Sequence, residues 1–159
     1  MVNTAKNLNV NYKHIVIDPY DESADLRPEV VQDAFEKFQH NIKVCDNPDA
    51  IEFIRKKSFN GLIDLHSRGE KVDFVYIDGD HRAATVLEDL VLSFQLLKIG
   101  GILLCDDAHS WAHIDGNGVK NVQQSPKMAI DSFIHCNWDK IELLDLPKGY
   151  QVGIRKLME

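Results

Sequence analysis

Two stretches decide the fold of this chain: Val72-Asp73-Phe74-Val75-Tyr76-Ile77-Asp78-Gly79-Asp80-His81 and Gly101-Ile102-Leu103-Leu104-Cys105-Asp106-Asp107. Each begins with a short apolar run, rich in β-branched or aromatic residues, and ends in acidic residues. Such runs are typical of buried parallel strands. The segment between them has an apolar stripe with helical spacing, made of Val86, Leu87, Leu90, Val91, Phe94 and Leu97. The sequence therefore predicts a strand–helix–strand unit.

The acidic residues that follow the two strands form the candidate site. A strand–helix–strand crossover returns the chain in the same direction, so both carboxyl ends lie at one edge of the sheet. Ligands of open α/β sheets bind at that edge. We therefore expect five side chains to converge there, namely those of Asp78, Asp80, His81, Asp106 and Asp107.

Composition and charge restrict the class of protein. The 159 residues are 44% hydrophobic and 27% charged, which predicts one domain over residues 1–159. A net charge of −7 with scattered basic residues argues against nucleic-acid binding. We expect no membrane partner because no apolar stretch approaches the roughly 20 residues that a span needs. Three widely spaced cysteines fit a reducing compartment, so we expect a cytoplasmic protein.

The remaining pattern predicts alternating strands and helices between a polar extension at 1–12 and a hairpin. We expect strands at 14–17 and 42–45, and helices beginning at Pro28, around 51–54, at 62–69 and at Pro126. Residues 109–124 are rich in Gly, Asn and Gln and predict a loop or lid. Strands at 141–144 and 150–154 form the closing hairpin. The predicted class is α/β, an open sheet that is mostly parallel with a C-terminal antiparallel hairpin.

The run from Asp73 to Asp107 resembles the class I S-adenosylmethionine-dependent methyltransferases, specifically the small-molecule O-methyltransferase-like group. Residues 72–81 resemble the fourth strand of that family, and Ile17-Asp18-Pro19-Tyr20 is similar to its second strand. The tail, from Pro126 through Val152, is also similar. The resemblance implies a Rossmann-like fold.

The chain differs from that family before Asp18. The family has a first strand and a Gly-x-Gly-x-Gly loop there, because backbone must approach the cofactor closely. Only twelve residues precede Lys13, and none is glycine. We therefore expect a chain truncated at its N-terminus relative to the family.

The resemblance implies S-adenosylmethionine as cofactor and assigns residues to it. Asp18 would accept hydrogen bonds from the ribose hydroxyls, although it is also a natural turn residue before Pro19. Asp49 would meet the adenine amino group, although it is equally a helix cap. Asp78, Gly79 and His81 complete the predicted cofactor contacts.

The clustered carboxylates predict a divalent cation. Asp78, Asp106 and Asp107 cannot all stay ionised without a compensating charge, and oxygen ligands suit Mg²⁺ or Ca²⁺. Asp80 or His81 would remove the proton from a hydroxyl acceptor as catalytic base. The alternative is a structural role, in which Asp106 and Asp107 cap the following loop and Asp78 accepts hydrogen bonds from backbone amides.

The sequence leaves three candidate functions, of which the first two are the main alternatives. The first is methyl transfer to the oxygen of a small hydroxylated acceptor. The second is a non-catalytic, homo-oligomeric remnant of the fold that has lost the cofactor. The third is a metal-dependent hydrolase or sugar-binding protein. The absent first strand leaves unpaired edges, so we expect a homodimer.

Overall fold

A computed structural model of the chain describes residues 11–21, 28–108, 113–114, 118, 120–147 and 149–159. Residues 1–10 of the polar extension and half of the predicted loop at 109–124 lie outside these ranges. The chain divides into two compact units, Met1–Gly61 and Leu62–Glu159. The single domain expected from the length stays a prediction.

The first unit contains one pair of parallel strands and one long helix. Strand β1 (His14–Ile17) pairs with β2 (Ile51–Ile54), with His14 opposite Ile51. Helix α1 (Pro28–Val44) begins with proline, whose fixed φ suits a first turn, as predicted. Strand β1 ends at Ile17, so Asp18 follows its carboxyl end as expected.

An aromatic cluster forms the interior of this unit. The ring centroid of Tyr20 lies 5.1 Å from that of Phe35 and 5.3 Å from that of Phe38. The ring of Phe53, on β2, lies 4.8 Å from that of Phe38. The guanidinium of Arg55 sits 4.2 Å above the centre of the Phe35 ring, a cation–π contact. These contacts tie α1 to β2 and to the loop after β1.

Two predicted elements of this unit are wrong. Residues 42–45 do not form a strand, because Ile42 continues the i, i+4, i+7 stripe of α1 through to Val44. Residues 51–54 form β2 and not a helix. Short apolar runs fit either structure by pattern alone, and here pairing with β1 decides the outcome.

The second unit is a four-stranded sheet with helices packed on it. The predicted helix at 62–69 is observed as α2 (Ser58–Ser67), which begins four residues earlier and ends two residues earlier. The further elements are β3 (Val72–Ile77), α3 (Ala83–Leu96), β4 (Leu97–Cys105), β5 (His113–Ile114), β6 (Lys120–Asn121), α4 (Pro126–Cys136), β7 (Ile141–Leu144) and β8 (Val152–Lys156).

The strand order is β3-β4-β8-β7, which confirms both the parallel pair and the closing hairpin. Strands β3 and β4 are parallel, whereas β4 with β8 and β7 with β8 are antiparallel. Within the part of residues 109–124 that is described, β5 and β6 form a short antiparallel pair. The α/β class with an open sheet is thus confirmed.

Helices α3 and α4 cover one face of this sheet and build the core. The rings of Phe94 and Phe133 meet edge to face at 5.3 Å. The core cluster consists of Ile77, Val86, Leu90, Phe94, Leu97, Leu103, Cys105, Ala108, Ala129, Ile130, Phe133, Ile134, Ile141 and Ile154. Strand β4 begins at the fully buried Leu97, four residues earlier than predicted. No helix in the described part of the chain is long and apolar enough to cross a membrane.

Candidate active site

The carboxyl ends of β3 and β4 lie side by side, as the parallel crossover predicted. Ile77 pairs with Cys105, and the backbone N–H of Asp106 donates to the carbonyl of Ile77 at 3.0 Å. Asp78 and Asp106 therefore follow adjacent strands at one edge. A narrow groove of about 10 Å³ is lined by Ile77, Asp78, Gly79, Asp80, His81, Val86, Cys105, Asp106, Asp107, Pro126 and Ile130. This volume holds about one water. A nucleoside would therefore bind on the surface of this edge and not inside the groove.

His81 and Asp107 form a hydrogen-bonded pair at this edge. The Nε2 atom of His81 lies 2.9 Å from Oδ2 of Asp107, and both side chains are partly buried. Asp107 has a φ of +53°, a left-handed conformation that its short polar side chain tolerates. Its backbone N–H bonds Oδ1 of Asp106 at 3.0 Å, which fixes the turn. A carboxylate that orients an imidazole is the arrangement of a catalytic base and its positioning group.

The side chain of Asp80 bonds Arg82 and is not part of the His81–Asp107 pair. Its Oδ2 accepts a hydrogen bond from Nε of Arg82 at 2.6 Å, and its Oδ1 accepts one from the backbone N–H of Arg82 at 3.0 Å. Burial alone would raise the pKa of Asp80, but the hydrogen bonds and charge of Arg82 outweigh it, so the pKa lies below the ordinary value. A carboxylate held in its ionised form by an arginine is a weak proton acceptor.

Two site residues were missed by the sequence analysis. The hydroxyl of Tyr76 donates a short hydrogen bond to Oδ2 of Asp106, and Nε2 of Gln151 lies 3.5 Å from that hydroxyl. Tyr76 precedes Asp78 by two positions on a strand, so the two side chains project to the same side. That spacing could have identified Tyr76 as a site residue from the sequence. No sequence pattern identifies Gln151, because its position depends on the pairing of β8 with β4.

The pKa values of the neighbouring carboxyls are shifted in opposite directions. Burial raises the pKa of Asp78 above its ordinary value, and the negative charges of Asp106 and Asp107 raise it further. The hydrogen bond from Tyr76 lowers the pKa of Asp106. Burial also raises the pKa of the Cys105 thiol to about 12, so this cysteine is an inert core residue.

The three carboxylates proposed as metal ligands do not form a metal centre as they are arranged. Among the described residues, no group of three or more His, Cys, Asp or Glu side chains is placed to hold a metal ion. Asp106 and Asp107 face Tyr76 and His81 instead. Oxygen donors suit Mg²⁺ and Ca²⁺ chemically.

Asp18 and Asp49 lie at opposite ends of the parallel strand pair in the first unit. Asp18 follows the carboxyl end of β1, and its Oδ1 accepts a hydrogen bond from the backbone N–H of Tyr20 at 2.7 Å. Arg55 holds the same loop by donating to the carbonyls of Pro19 and Tyr20 at 3.2 and 3.3 Å. Asp49 lies in a 3₁₀ turn (Pro48–Ala50) before β2. The structure therefore does not bring Asp49 together with Asp18, because residues 51–54 are a strand and not the predicted helix.

The opposite pKa shifts predict opposite effects of two substitutions on stability. Asp78 has a folded pKa above its unfolded value, so its ionised form destabilises the protein at neutral pH, and Asp78→Asn should raise the Tm. Asp106 has a folded pKa below its unfolded value, so Asp106→Asn should lower the Tm. The effect of Asp78→Asn should shrink as the pH falls through the raised pKa of Asp78 towards the ordinary Asp value of 3.8, whereas the effect of Asp106→Asn should persist to about pH 3.8 and be lost only below it. Thermal melts of both variants at neutral and acid pH test this, and shifts of the same sign would contradict it.

Comparison with known proteins agrees with this architecture. A family model described as a methyltransferase domain matches residues 1–108. No curated protein matches the sequence. The O-methyltransferase NovP is similar in structure with a TM-score of 0.58 and 14% identity, over 99% of this chain and 66% of NovP. An rRNA methylase from Streptococcus thermophilus is similar with a TM-score of 0.55 and 13% identity, over 93% of this chain and 89% of the methylase.

A third similar structure contains ligands. The mycinamycin-pathway methyltransferase MycE, in complex with Mg and SAH, is similar with a TM-score of 0.52 and 14% identity. The match covers 95% of this chain and 47% of MycE. The chain thus spans about two thirds of NovP and about half of MycE. At these identities the likeness establishes the fold.

The open α/β sheet with acidic residues at its carboxyl edge is the Rossmann-like architecture of class I methyltransferases, and this predicted resemblance is confirmed. The family match extends over more than half of the sequence. The chain belongs to the methyltransferase domain family.

Proposed function

We propose that this protein transfers a methyl group from S-adenosylmethionine to the oxygen of a small hydroxylated acceptor. The observation that carries the proposal is the His81–Asp107 pair beside Asp78 and Asp106 at the carboxyl edge of the sheet. An imidazole oriented by a carboxylate suits the removal of a hydroxyl proton. The family match supports methyl transfer, and the likeness to NovP supports oxygen as the acceptor atom.

S-adenosylmethionine, with its ribose held by Asp18, would supply an electrophilic methyl group. The acceptor oxygen would take that methyl carbon as the carbon–sulfur bond breaks, and the sulfur would keep the electron pair as a thioether. The hydroxyl proton would go to Nδ1 of His81, because Nε2 donates its hydrogen to the Asp107 carboxylate, and Asp107 would stabilise the resulting imidazolium. Positioning of the two reactants accounts for most of the remaining rate enhancement.

The residues of the first unit fit the ribose end of that cofactor. One oxygen of Asp18 is used within its own loop, and the other has no hydrogen-bond partner among the described residues, so it can accept a bond from a ribose hydroxyl. Asp49 precedes β2 and therefore lies at the end of the strand pair opposite to Asp18. Contact with the adenine amino group would require a cofactor that reaches that end, so we rank Asp49 last among the cofactor residues.

Substitution of Asp18 tests the cofactor assignment. Asp18→Asn keeps the oxygen that bonds the N–H of Tyr20 but removes the charge that strengthens a ribose hydrogen bond. Since bonds to charged groups contribute about 1.5–3 kcal/mol, we expect S-adenosylhomocysteine affinity to fall by roughly 10- to 100-fold. Isothermal titration calorimetry measures this directly.

The control is Asp33→Asn, because Asp33 is an exposed carboxylate of the same unit, paired with Lys37 at 2.6 Å. It should leave the affinity unchanged. Equal losses in both variants would contradict the role of Asp18. A Mg²⁺ titration in the same calorimeter tests metal assistance at Asp78, Asp106 and Asp107.

The alternative is a non-catalytic, homo-oligomeric remnant of the methyltransferase fold that has lost cofactor binding. It predicts that the protein binds neither S-adenosylhomocysteine nor Mg²⁺ yet forms a stable oligomer. Binding of S-adenosylhomocysteine by the intact chain would exclude it.

A further inference from the structure

We infer that Tyr76 is a positioning residue, which holds the imidazole of His81 in place through Asp106 and Asp107. Tyr76 lies on β3, and His81 follows the carboxyl end of the same strand. The connection between them runs through the two aspartates that follow β4. The catalytic part of this inference rests on the proposed function, because it concerns the base named there.

The first contact joins β3 to the end of β4. The hydroxyl of Tyr76 donates a short hydrogen bond to Oδ2 of Asp106. A hydrogen bond to an ionised carboxylate is roughly twice as strong as one between neutral groups. Nε2 of Gln151 donates to the same hydroxyl at 3.5 Å, a weaker contact that leaves the hydroxyl hydrogen for Asp106. Tyr76 therefore restrains the orientation of the Asp106 carboxylate.

The second contact joins the two aspartates. The other carboxylate oxygen of Asp106, Oδ1, accepts a hydrogen bond from the backbone N–H of Asp107 at 3.0 Å. Asp107 has a φ of +53°, which is uncommon for residues other than glycine and persists where the surrounding contacts hold it. Rotation of the Asp106 carboxylate would take the acceptor away from this N–H. The two oxygens of one carboxylate thus connect the Tyr76 hydroxyl to the turn at Asp107.

The third contact reaches the proposed base. Oδ2 of Asp107 lies 2.9 Å from Nε2 of His81. The turn sets the direction of this carboxylate, and the carboxylate selects the tautomer that carries its hydrogen on Nε2. Nδ1 then accepts the hydroxyl proton in the proposed reaction. Three successive hydrogen bonds therefore connect Tyr76 to the ring whose orientation that reaction needs.

The rate of methyl transfer by Tyr76→Phe tests the catalytic part. Phenylalanine keeps the ring on β3 and removes only the hydroxyl. Because that hydroxyl acts through two intermediate residues, we expect kcat to fall by about three- to tenfold, less than in Asp107→Asn. The affinity for S-adenosylhomocysteine should stay unchanged, since Asp18 is intact. Tyr150→Phe is the matched control, because Tyr150 is 61% exposed beside Gln151 in the chain, and it should keep the native kcat.

A double variant separates positioning from a general loss of structure. In His81→Gln the imidazole is gone, so the hydroxyl of Tyr76 has no base to position. Adding Tyr76→Phe to that variant should therefore change kcat less than about twofold. A further loss as large as the one in the native background would show that Tyr76 acts independently of His81, and would overturn the inference.

Nitrogen NMR of the imidazole tests the position of His81 without an activity measurement. At a pH where the ring is neutral, we expect the native protein to carry the hydrogen on Nε2 and Tyr76→Phe to show a mixture of both tautomers. Amide exchange of Asp107 should quicken roughly threefold or more in the variant. The N–H of Asp106 is the internal control, because it donates to the carbonyl of Ile77 at 3.0 Å and should keep its native exchange rate.

Native tautomer and native Asp107 exchange in Tyr76→Phe would overturn the inference. So would an unchanged kcat in that variant, or an equal loss of kcat in Tyr150→Phe. Circular dichroism confirms that the variants fold. If the native protein methylates no acceptor, the proposed function fails, and the NMR measurements still decide whether Tyr76 positions His81.

Discussion

Replacing Lys156 with alanine is expected to destabilise the protein by about 2–4 kcal/mol, through lost hydrogen bonds and a buried cavity. Lys156 is 1% exposed, although it is charged. Its Nζ donates to the carbonyls of Phe94 and Leu97 at 3.2 and 3.0 Å and to Oε2 of Glu159 at 2.8 Å. The ammonium also lies 5.0 Å from the centre of the Phe94 ring.

The reason for so large an effect is the position of these acceptors. Helix α3 ends at Leu96, so the carbonyls of Phe94 and Leu97 lie at its C-terminus, where the helix dipole is negative and helical partners run out. The lysine satisfies them inside the core. Without it they lose a buried donor, which costs more than the loss of an exposed charge.

Chemical denaturation with urea measures this difference. Lys127→Ala is the control, because Lys127 pairs with Asp131 at 2.6 Å on the surface of α4, and such exposed pairs contribute about 0–1 kcal/mol. Lys156→Met keeps most of the volume and should fall between the two. Equal stabilities of Lys156→Ala and Lys127→Ala would contradict the capping role.

The sequence predicted the strand–helix–strand unit and the hairpin because their signals are local and long. The apolar stripe of α3 covers more than three turns, and the strands on either side are closed by Gly or Asp. The run at 51–54 has only four residues, and its strand structure depends on β1, which is far away in the chain. The misassigned strand at 42–45 and helix at 51–54 together put Asp49 between a strand and a helix, whereas it lies between a helix and β2.

The candidate site could be predicted as a location but not as a network. Parallel topology alone places Asp78 and Asp106 together, because each follows the carboxyl end of a neighbouring strand. Which side chain bonds which depends on turn geometry, such as the left-handed backbone of Asp107 that lets its carboxylate reach His81. Lys156 was missed for a different reason. Its spacing of two from the buried Ile154 points it inward, but its charge argued for the surface.

His81 is expected to contribute the largest effect on catalysis. If it accepts the hydroxyl proton, His81→Gln should lower the rate of methyl transfer by about 10²- to 10⁴-fold, the usual contribution of a catalytic base. Glutamine is similar in size and can still bond Asp107, so the fold at the edge should persist. The affinity for S-adenosylhomocysteine should change only a few-fold, which is much less than the change in the rate of methyl transfer. The measurement is release of S-adenosylhomocysteine with a panel of small hydroxylated acceptors.

The rate of methyl transfer by Asp80→Asn shows which of the two candidate bases, Asp80 or His81, accepts the proton. The sequence predicted either one, and the structure gives them different partners. Asp80 is held by Arg82, which keeps its pKa low, whereas His81 is oriented by Asp107. The loss in Asp80→Asn should therefore be much smaller than that in His81→Gln. The reverse order would make Asp80 the base and reduce His81 to a partner of Asp107. Asp107→Asn should resemble His81→Gln in direction with a smaller loss, since it removes the orienting charge but leaves the imidazole in place.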